Sequence, residues 1–178
     1  MDKQKIADSI RAIYDYKPGV IFRDITTLIG NAEVFQEVIH ILKNRYENQN
    51  LDFIAAIEAR GFIFGSALAY ALGIGFVPIR KKGKLPHKTI SEKYSLEYGF
   101  DEVELHIDAF RDKKNAKVVL IDDLIATGGT ALASIKLIES AGAKCVEAAF
   151  VINLKGLEGE SRLLSHTKVF SIVEYEGK

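Results

Sequence analysis

Two adjacent carboxylates, Asp122 and Asp123, close an apolar run and lead into a Thr-Gly-Gly-Thr turn, in the segment VVLIDDLIATGGT at 118–130. Gly128 and Gly129 allow successive backbone N–H groups to turn inward, so that the loop from Ala126 forms an anion-binding nest. Thr127 and Thr130 add hydroxyl donors at the positive end of the helix that follows, a setting that suits a phosphate monoester. No Lys follows the glycines in the GK[ST] pattern, which sets the segment apart from the triphosphate-cradling P-loop. Asp122 and Asp123 can accept hydrogen bonds from vicinal hydroxyls, or hold a divalent cation through water. Together these groups describe a ribose 5′-phosphate site. An isolated Asp pair or Gly pair would be an acidic strand end and an ordinary turn; strand, carboxylates, loop and helix start in one block are far more specific.

Such a block needs a strand to present it and neighbours to hold it. Apolar runs at 53–57, 76–79, 118–121 and 146–153 read as buried strands, and helical patterns separate most of them. Asn31 can cap a helix to about Glu47, Phe62 to Leu72 reads as a buried helix, and Thr130 to Ala141 places Leu132, Ile135 and Ile138 on one face with Gly142 as terminator. The alternation predicts an α/β fold with a mostly parallel sheet and helices on both faces. Ligands of such sheets sit beyond the carboxyl ends of the strands. The first fourteen residues, MDKQKIADSIRAIY, have charges scattered among apolar residues and read as an amphipathic helix, not a secretory signal. The uncharged stretch from Gly61 to Ile79 has borderline membrane-spanning length, but Gly73, Gly75 and Pro78 interrupt it, so it reads as helix, turn and strand. Residues 81–106 carry Lys81, Lys82, Lys84, Lys88 and Lys93 among Gly83, Pro86 and Gly99, and read as a long basic loop, either a solvated hairpin or an active-site lid.

The 178 residues, 48% of them hydrophobic, suffice for one domain with a sizeable core and little beyond it. Basic and acidic residues balance at 24 each, which argues against a nucleic-acid partner. Cys145 is the only cysteine, so an intrachain disulfide is excluded, and it reads as a small core residue of a cytoplasmic protein without membrane contact. His40, His87, His106 and His166 are dispersed, with no zinc-like spacing.

The 118–130 segment resembles the phosphoribosyl-pyrophosphate (PRPP) motif of type I phosphoribosyltransferases. PGVIFRDIT at 18–26, EARGFIFG at 58–65, RKKGKLP at 80–86 and YSLEYG at 94–99 resemble, in the same order, motifs of the adenine-specific branch of that family. The resemblance covers nearly the whole chain. It implies the type I fold with a flexible hood, an N-terminal helix and base-binding segment over about 1–30, and a PRPP-binding core over about 31–178. It implies transfer of a phosphoribosyl group from PRPP to N9 of adenine, giving AMP and pyrophosphate, with Mg²⁺ carried on PRPP and water near Asp122 and Asp123, in a homodimer.

Residue by residue, the resemblance makes Glu58, Ala59 and Arg60 the pyrophosphate loop, with a cis peptide between Glu58 and Ala59. Arg60 offers a planar fork of donors beside a helix N-terminus, both directed at a leaving group whose negative charge grows as its bond breaks. Glu58-Ala59 stands where many eukaryotic relatives have Asp-Ser, as in the bacterial form. Arg80, Lys81 and Lys84 become pyrophosphate ligands of the hood, and Glu97 and Tyr98 act near the base and leaving group, Glu97 as a proton shuttle. Phe22 is expected to stack on the purine, the backbone of Ile21 and Arg23 to pair with its edge, and Leu124 to close the opposite face. A 6-oxopurine would present an acceptor where adenine's amino donor belongs, at a cost of roughly 1–3 kcal/mol for each mispaired buried group. Two alternatives stand beside this reading: a hypoxanthine, guanine or xanthine substrate within the same chemistry, and a PRPP-sensing regulator that binds nucleic acid.

Overall fold

A computed structural model describes residues 2–177. Its centre is a seven-stranded sheet in the order β5-β6-β4-β3-β7-β8-β9, made of β3 (Phe53–Ile57), β4 (Gly75–Lys81), β5 (Thr89–Ser95), β6 (Phe100–His106), β7 (Lys117–Ile125), β8 (Lys144–Lys155) and β9 (Lys168–Glu176). The pairs β4·β3, β3·β7, β7·β8 and β8·β9 are parallel, while β6 joins β4, and β5 joins β6, antiparallel. The α/β architecture expected from the sequence is thus present, and the central strands fall on the expected apolar runs.

Period-2 alternation divides the core between the two faces. On β3 and β7, Ile54, Ala56, Val119 and Ile121 face α1 (Lys3–Ser9), α3 (Ala32–Tyr46) and α4 (Arg60–Leu72), packing with Ile6, Val38 and Phe64. Ala55, Ile57, Val118 and Leu120 point the other way, onto Ile135 and Ile138 of α5 (Gly129–Ser140) and Leu163 of α6 (Gly159–Leu164). Helix α3 starts at Asn31, whose side chain accepts from the Val34 N–H at 3.3 Å. At its other end, Arg45 donates twice to Glu147 at 2.7 Å and the Tyr46 hydroxyl donates at 2.5 Å, fastening the helix to β8. Burial raises the Glu147 carboxyl, but these donors outweigh it and leave it below the ordinary range. The uncharged 61–79 run is α4, a turn at Gly73 (φ +68°) and β4. Among the described residues, no helix is long and apolar enough to cross a membrane.

Three expectations need correction. The N-terminal helix stops at Ser9: Thr27 donates its hydroxyl to the Ser9 carbonyl at 2.6 Å and accepts from the Arg11 N–H at 3.2 Å. The chain continues instead as β1 (Arg11–Lys17), paired antiparallel with β2 (Val20–Asp24), so a non-local partner outweighs helical periodicity. Residues 81–106 are not one long loop; seven cross-strand pairs, from Thr89↔His106 to Ser95↔Phe100, make them largely the β5–β6 hairpin. Charged residues on its outer face hid the inward set Ile90, Tyr94, Val103 and Leu105. Finally, β9 had no counterpart among the strands read from sequence, although Ile172 and Val173 are buried on it.

Candidate active site

The carboxyl ends of β3, β4 and β7 open onto a cleft of about 350 Å³, lined by residues that include Glu58, Ala59, Arg60, Lys81, Asp122 and Asp123. A smaller hollow of about 200 Å³, sharing Asp122 and Thr130 with the first, runs along Leu124–Ala131. Three segments distant in sequence therefore meet in one place because their strands are neighbours in the sheet.

The loop after β3 places Arg60 at the first position of α4, and the Glu58–Ala59 peptide is cis. That helix begins hard against β7: a Cβ on Gly61 would lie 2.9 Å from Asp122 Oδ1 and 3.1 Å from the Ile121 carbonyl oxygen. Only a glycine permits this approach, which brings Arg60 Nε to 2.6 Å from Asp123 Oδ2. The guanidinium carbon lies 5.6 Å from the Phe22 ring centroid, so Arg60 bridges the carboxylates of β7 and the aromatic of the β1–β2 hairpin. Half of the Arg60 side chain stays exposed, at 47%, against 6% for Asp123, leaving donors for an incoming anion.

Asp122 accepts from the Asp123 N–H at 2.8 Å. Burial, followed by the neighbouring Asp123 charge, holds its carboxyl well above the ordinary value. That shift favours the protonated form of Asp122, so the pair carries less negative charge than two free carboxylates, while its oxygens still accept hydrogen bonds from hydroxyls.

At the end of β7 the backbone turns through Gly128 (φ +81°) into α5, and no side chain caps that helix. The first intrahelical bond runs from the Leu132 N–H to the Gly128 carbonyl at 2.9 Å, so the N–H groups of Gly129, Thr130 and Ala131 precede it and point to the helix start. Ala126, Thr127, Gly128, Gly129 and Thr130 line the hollow together, an anion cradle of the kind described above.

Hood residues are divided. Lys81 lines the cleft, its ammonium 2.7 Å from Asp101 Oδ2 and its N–H bonded to Glu58. That lysine holds the Asp101 carboxyl below its usual range. Arg80 lies 3.3 Å from Glu58 and donates to the Lys84 carbonyl at 3.3 Å; the Lys84 side chain is exposed, and neither residue lines the cleft. Glu97 and Tyr98 form the exposed tip of the β5–β6 hairpin, closed by the Leu96 N–H on the Gly99 carbonyl at 2.9 Å, and are not brought to the cleft. Of the expected base contacts, Phe22 packs on Tyr16 (centroids 5.1 Å apart) and beneath Arg60. Arg23 stacks on Tyr175 at 4.0 Å, Ile21 is partly buried on β2, and Leu124 lines the smaller hollow.

The sequence profile of the phosphoribosyl transferase domain matches residues 25–176. Adenine phosphoribosyltransferase of Helicobacter hepaticus is 84% identical over 178 residues, all of both chains. The chain belongs to the adenine phosphoribosyltransferases. The crystal structure of that enzyme from Thermoanaerobacter pseudethanolicus superposes with a TM-score of 0.91 at 44% identity, covering 98% of this chain and 100% of the other. The Saccharomyces cerevisiae enzyme, crystallised with D-2,5-dideoxy-2,5-imino-altritol 1,6-bisphosphate and adenine, superposes at 0.90 with 36% identity, covering 96% and 98%.

Two residues, one lining this phosphoribosyltransferase cleft and one supporting the turn beside it, escaped sequence reading. Tyr94 lines it and bonds Asp101 at 3.2 Å, yet in sequence it is one aromatic on an alternating strand. Glu104, only 4% exposed, accepts from the Gly83 N–H at 3.2 Å, the Leu85 N–H at 3.1 Å and the Thr89 hydroxyl at 3.3 Å, and so shapes the turn that carries Lys84. Nothing in EVELH marks that carboxylate as buried; the pairing of Arg80 with Glu104 across β4 and β6 and the turn that bonds it do.

Proposed function

We infer that this chain transfers the 5-phosphoribosyl group of PRPP to N9 of adenine, giving AMP and pyrophosphate. The observation that supports the reading is Arg60 lying between Asp123 and Phe22, so that the loop after β3, the carboxylates of β7 and the aromatic of the β1–β2 hairpin meet at one guanidinium. In this scheme the Ala126–Thr130 loop holds the 5′-phosphate, and the Asp122–Asp123 segment accepts from the ribose hydroxyls. Arg60, with Lys81 and the Arg80 and Lys84 of the hood, meets the pyrophosphate. As the C1–O bond lengthens, positive charge grows on the ribose beside the Asp122–Asp123 pair and negative charge grows on the leaving group beside Arg60, so both ends are stabilised more in the transition state than in the ground state. The purine lies on Phe22, its edge read by the Ile21 and Arg23 backbone, with Leu124 opposite; N9 attacks C1 and the bond to pyrophosphate breaks. Glu97 and Tyr98 reach the base only when the hairpin tip folds inward.

Mg²⁺ fits this cleft as a cation that arrives with PRPP. Among the described residues no three His, Cys, Asp or Glu side chains gather into a metal cage, while the Asp122 and Asp123 oxygens line the cleft where they could meet the ion through water. Bound there, Mg²⁺ would supply positive charge to the leaving pyrophosphate. The reading extends to a single domain over 1–178, a homodimer and a cytoplasmic location.

The test is product formation from PRPP and Mg²⁺ with adenine, hypoxanthine, guanine, xanthine or no base. AMP from adenine alone is expected. IMP, GMP or XMP would overturn the base assignment, and no product with any base would return the chain to the regulator class.

A further inference from the structure

Helix α6 sits against the phosphate loop for a reason visible in two glycines. The Gly159 N–H donates to the Ala126 carbonyl at 3.1 Å, and a Cβ on Gly159 would collide with that same carbonyl. A Cβ on Gly128 would in turn lie 3.0 Å from Gly159 Cα. The backbones of loop and helix therefore touch with no side chain between them. One turn further, the Arg162 N–H bonds the Glu158 carbonyl at 3.0 Å, and the side chain turns back so that Nη1 stands 3.9 Å from where a Cβ of Gly129 would be.

That guanidinium forms no ion pair among the described residues. Its acidic neighbour on α6, Glu160, is taken by Asn153 Nδ2 at 2.8 Å and by Lys155 Nζ at 3.2 Å. A planar donor fork is thus delivered to the rim of an anion cradle and left uncompensated there. Tyr94 Cδ2 and the Ser95 carbonyl oxygen stand 3.5 Å and 3.9 Å from that same Cβ position of Gly129, so the hairpin brings a ring and a carbonyl there and α6 brings the positive charge.

We propose that Arg162 is a further ligand of the substrate's 5′-phosphate, and that α6 exists in this position to present it. The proposal rests on the phosphoribosyl reading of the cleft. It gives the cradle a fixed cation beside its N–H donors, so that phosphorylated ribose is selected over ribose without the phosphate.

Replacing Arg162 by Met keeps the length of the side chain and removes its charge; because the residue is exposed, the fold is retained. In Arg162→Met the KM for PRPP is expected to rise roughly 10-fold with kcat little changed, as for one partly exposed charge-assisted bond. Inhibition by ribose 5-phosphate is expected to weaken by the same factor, and inhibition by pyrophosphate to stay as it was. Arg162→Lys should fall between, and Lys136→Met, which removes an exposed charge farther along α5, should change neither constant. Unchanged KM for PRPP in Arg162→Met, or equal weakening of ribose 5-phosphate and pyrophosphate, would overturn the proposal. Failure of the unmodified protein to make AMP would count against the reading of the cleft instead. Calorimetric titration of both proteins with ribose 5-phosphate still decides the role of Arg162 in that case.

Discussion

Replacing Gly61 by Ala tests whether the close approach of α4 to β7 is what positions Arg60. The new Cβ would stand 2.9 Å from Asp122 Oδ1, 3.1 Å from the Ile121 carbonyl oxygen and 3.2 Å from Asp122 Cα. Two of those three atoms are backbone of β7, flanked on both sides by parallel partners, so the helix start must yield. Restoring ordinary van der Waals separation moves it by roughly 0.5 Å, and overpacking of this kind costs about 1–3 kcal/mol. For a domain of this size that lowers Tm by about 4–8 °C per 2 kcal/mol. Arg60 and the Glu58–Ala59 peptide move with the helix start, and a shift of that size predicts a fall in kcat/KM of about 10-fold or more. Gly73→Ala is the control at the other end of the same helix. There φ is +68° and a Cβ meets nothing within 4 Å, so the cost is about 1 kcal/mol of left-handed strain with turnover kept. Steady-state kinetics with PRPP and adenine, beside a thermal melt, separate the two effects. A Gly61→Ala protein that melts lower yet keeps full kcat/KM would refute the link between that contact and the placement of Arg60.

Further outcomes follow from the same geometry. Arg60→Ala should lower kcat by about 100-fold or more while the melt stays close to the parent's, since the side chain is half exposed; unchanged turnover would remove it from the mechanism. Asp122→Asn with Asp123→Asn should weaken PRPP binding in a direct titration, and tight binding by that variant would contradict the ribose role. Glu147→Ala strands Arg45 and Tyr46 at the end of α3 and should cost about 2–4 kcal/mol in denaturant unfolding, with KM for both substrates unchanged. Asp24 accepts from the side chain and N–H of Thr26 and from Arg11, in that order of effect, which lowers its pKa from 3.8 to about 2. Its contribution is therefore present above pH 4 and lost as pH falls through 2: Asp24→Asn should cost about 1 kcal/mol at pH 7, after screening at the exposed Arg11 end, and progressively less as pH falls below 4 and through 2.

Much of this protein follows from local sequence. Strands β3, β4, β7 and β8 are apolar on both faces because helices cover both, and such runs are visible without a partner. Asn31 and Gly73 end their helices through their own side-chain and backbone chemistry. The Asp122–Thr130 block is likewise contiguous, since a nest and a helix start are built from consecutive residues, and so its chemistry could be read directly.

What pairing decides could not be read that way. Arg11–Tyr14 has helical periodicity and becomes a strand because β2 and Thr27 supply bonds from elsewhere in the chain. The β5–β6 hairpin hid behind its charges, and Glu104 is buried only because β6 lies beside β4. Arg60 meeting Asp123 and Phe22, and Arg162 meeting Gly129, join residues far apart in the chain, and no periodicity encodes such separations. Sequence determined the central strands, their helices and the contiguous chemistry of the Asp122–Thr130 block; tertiary structure decided the strands made by pairing and which groups face one another, because contacts across a sheet depend on strand order and register.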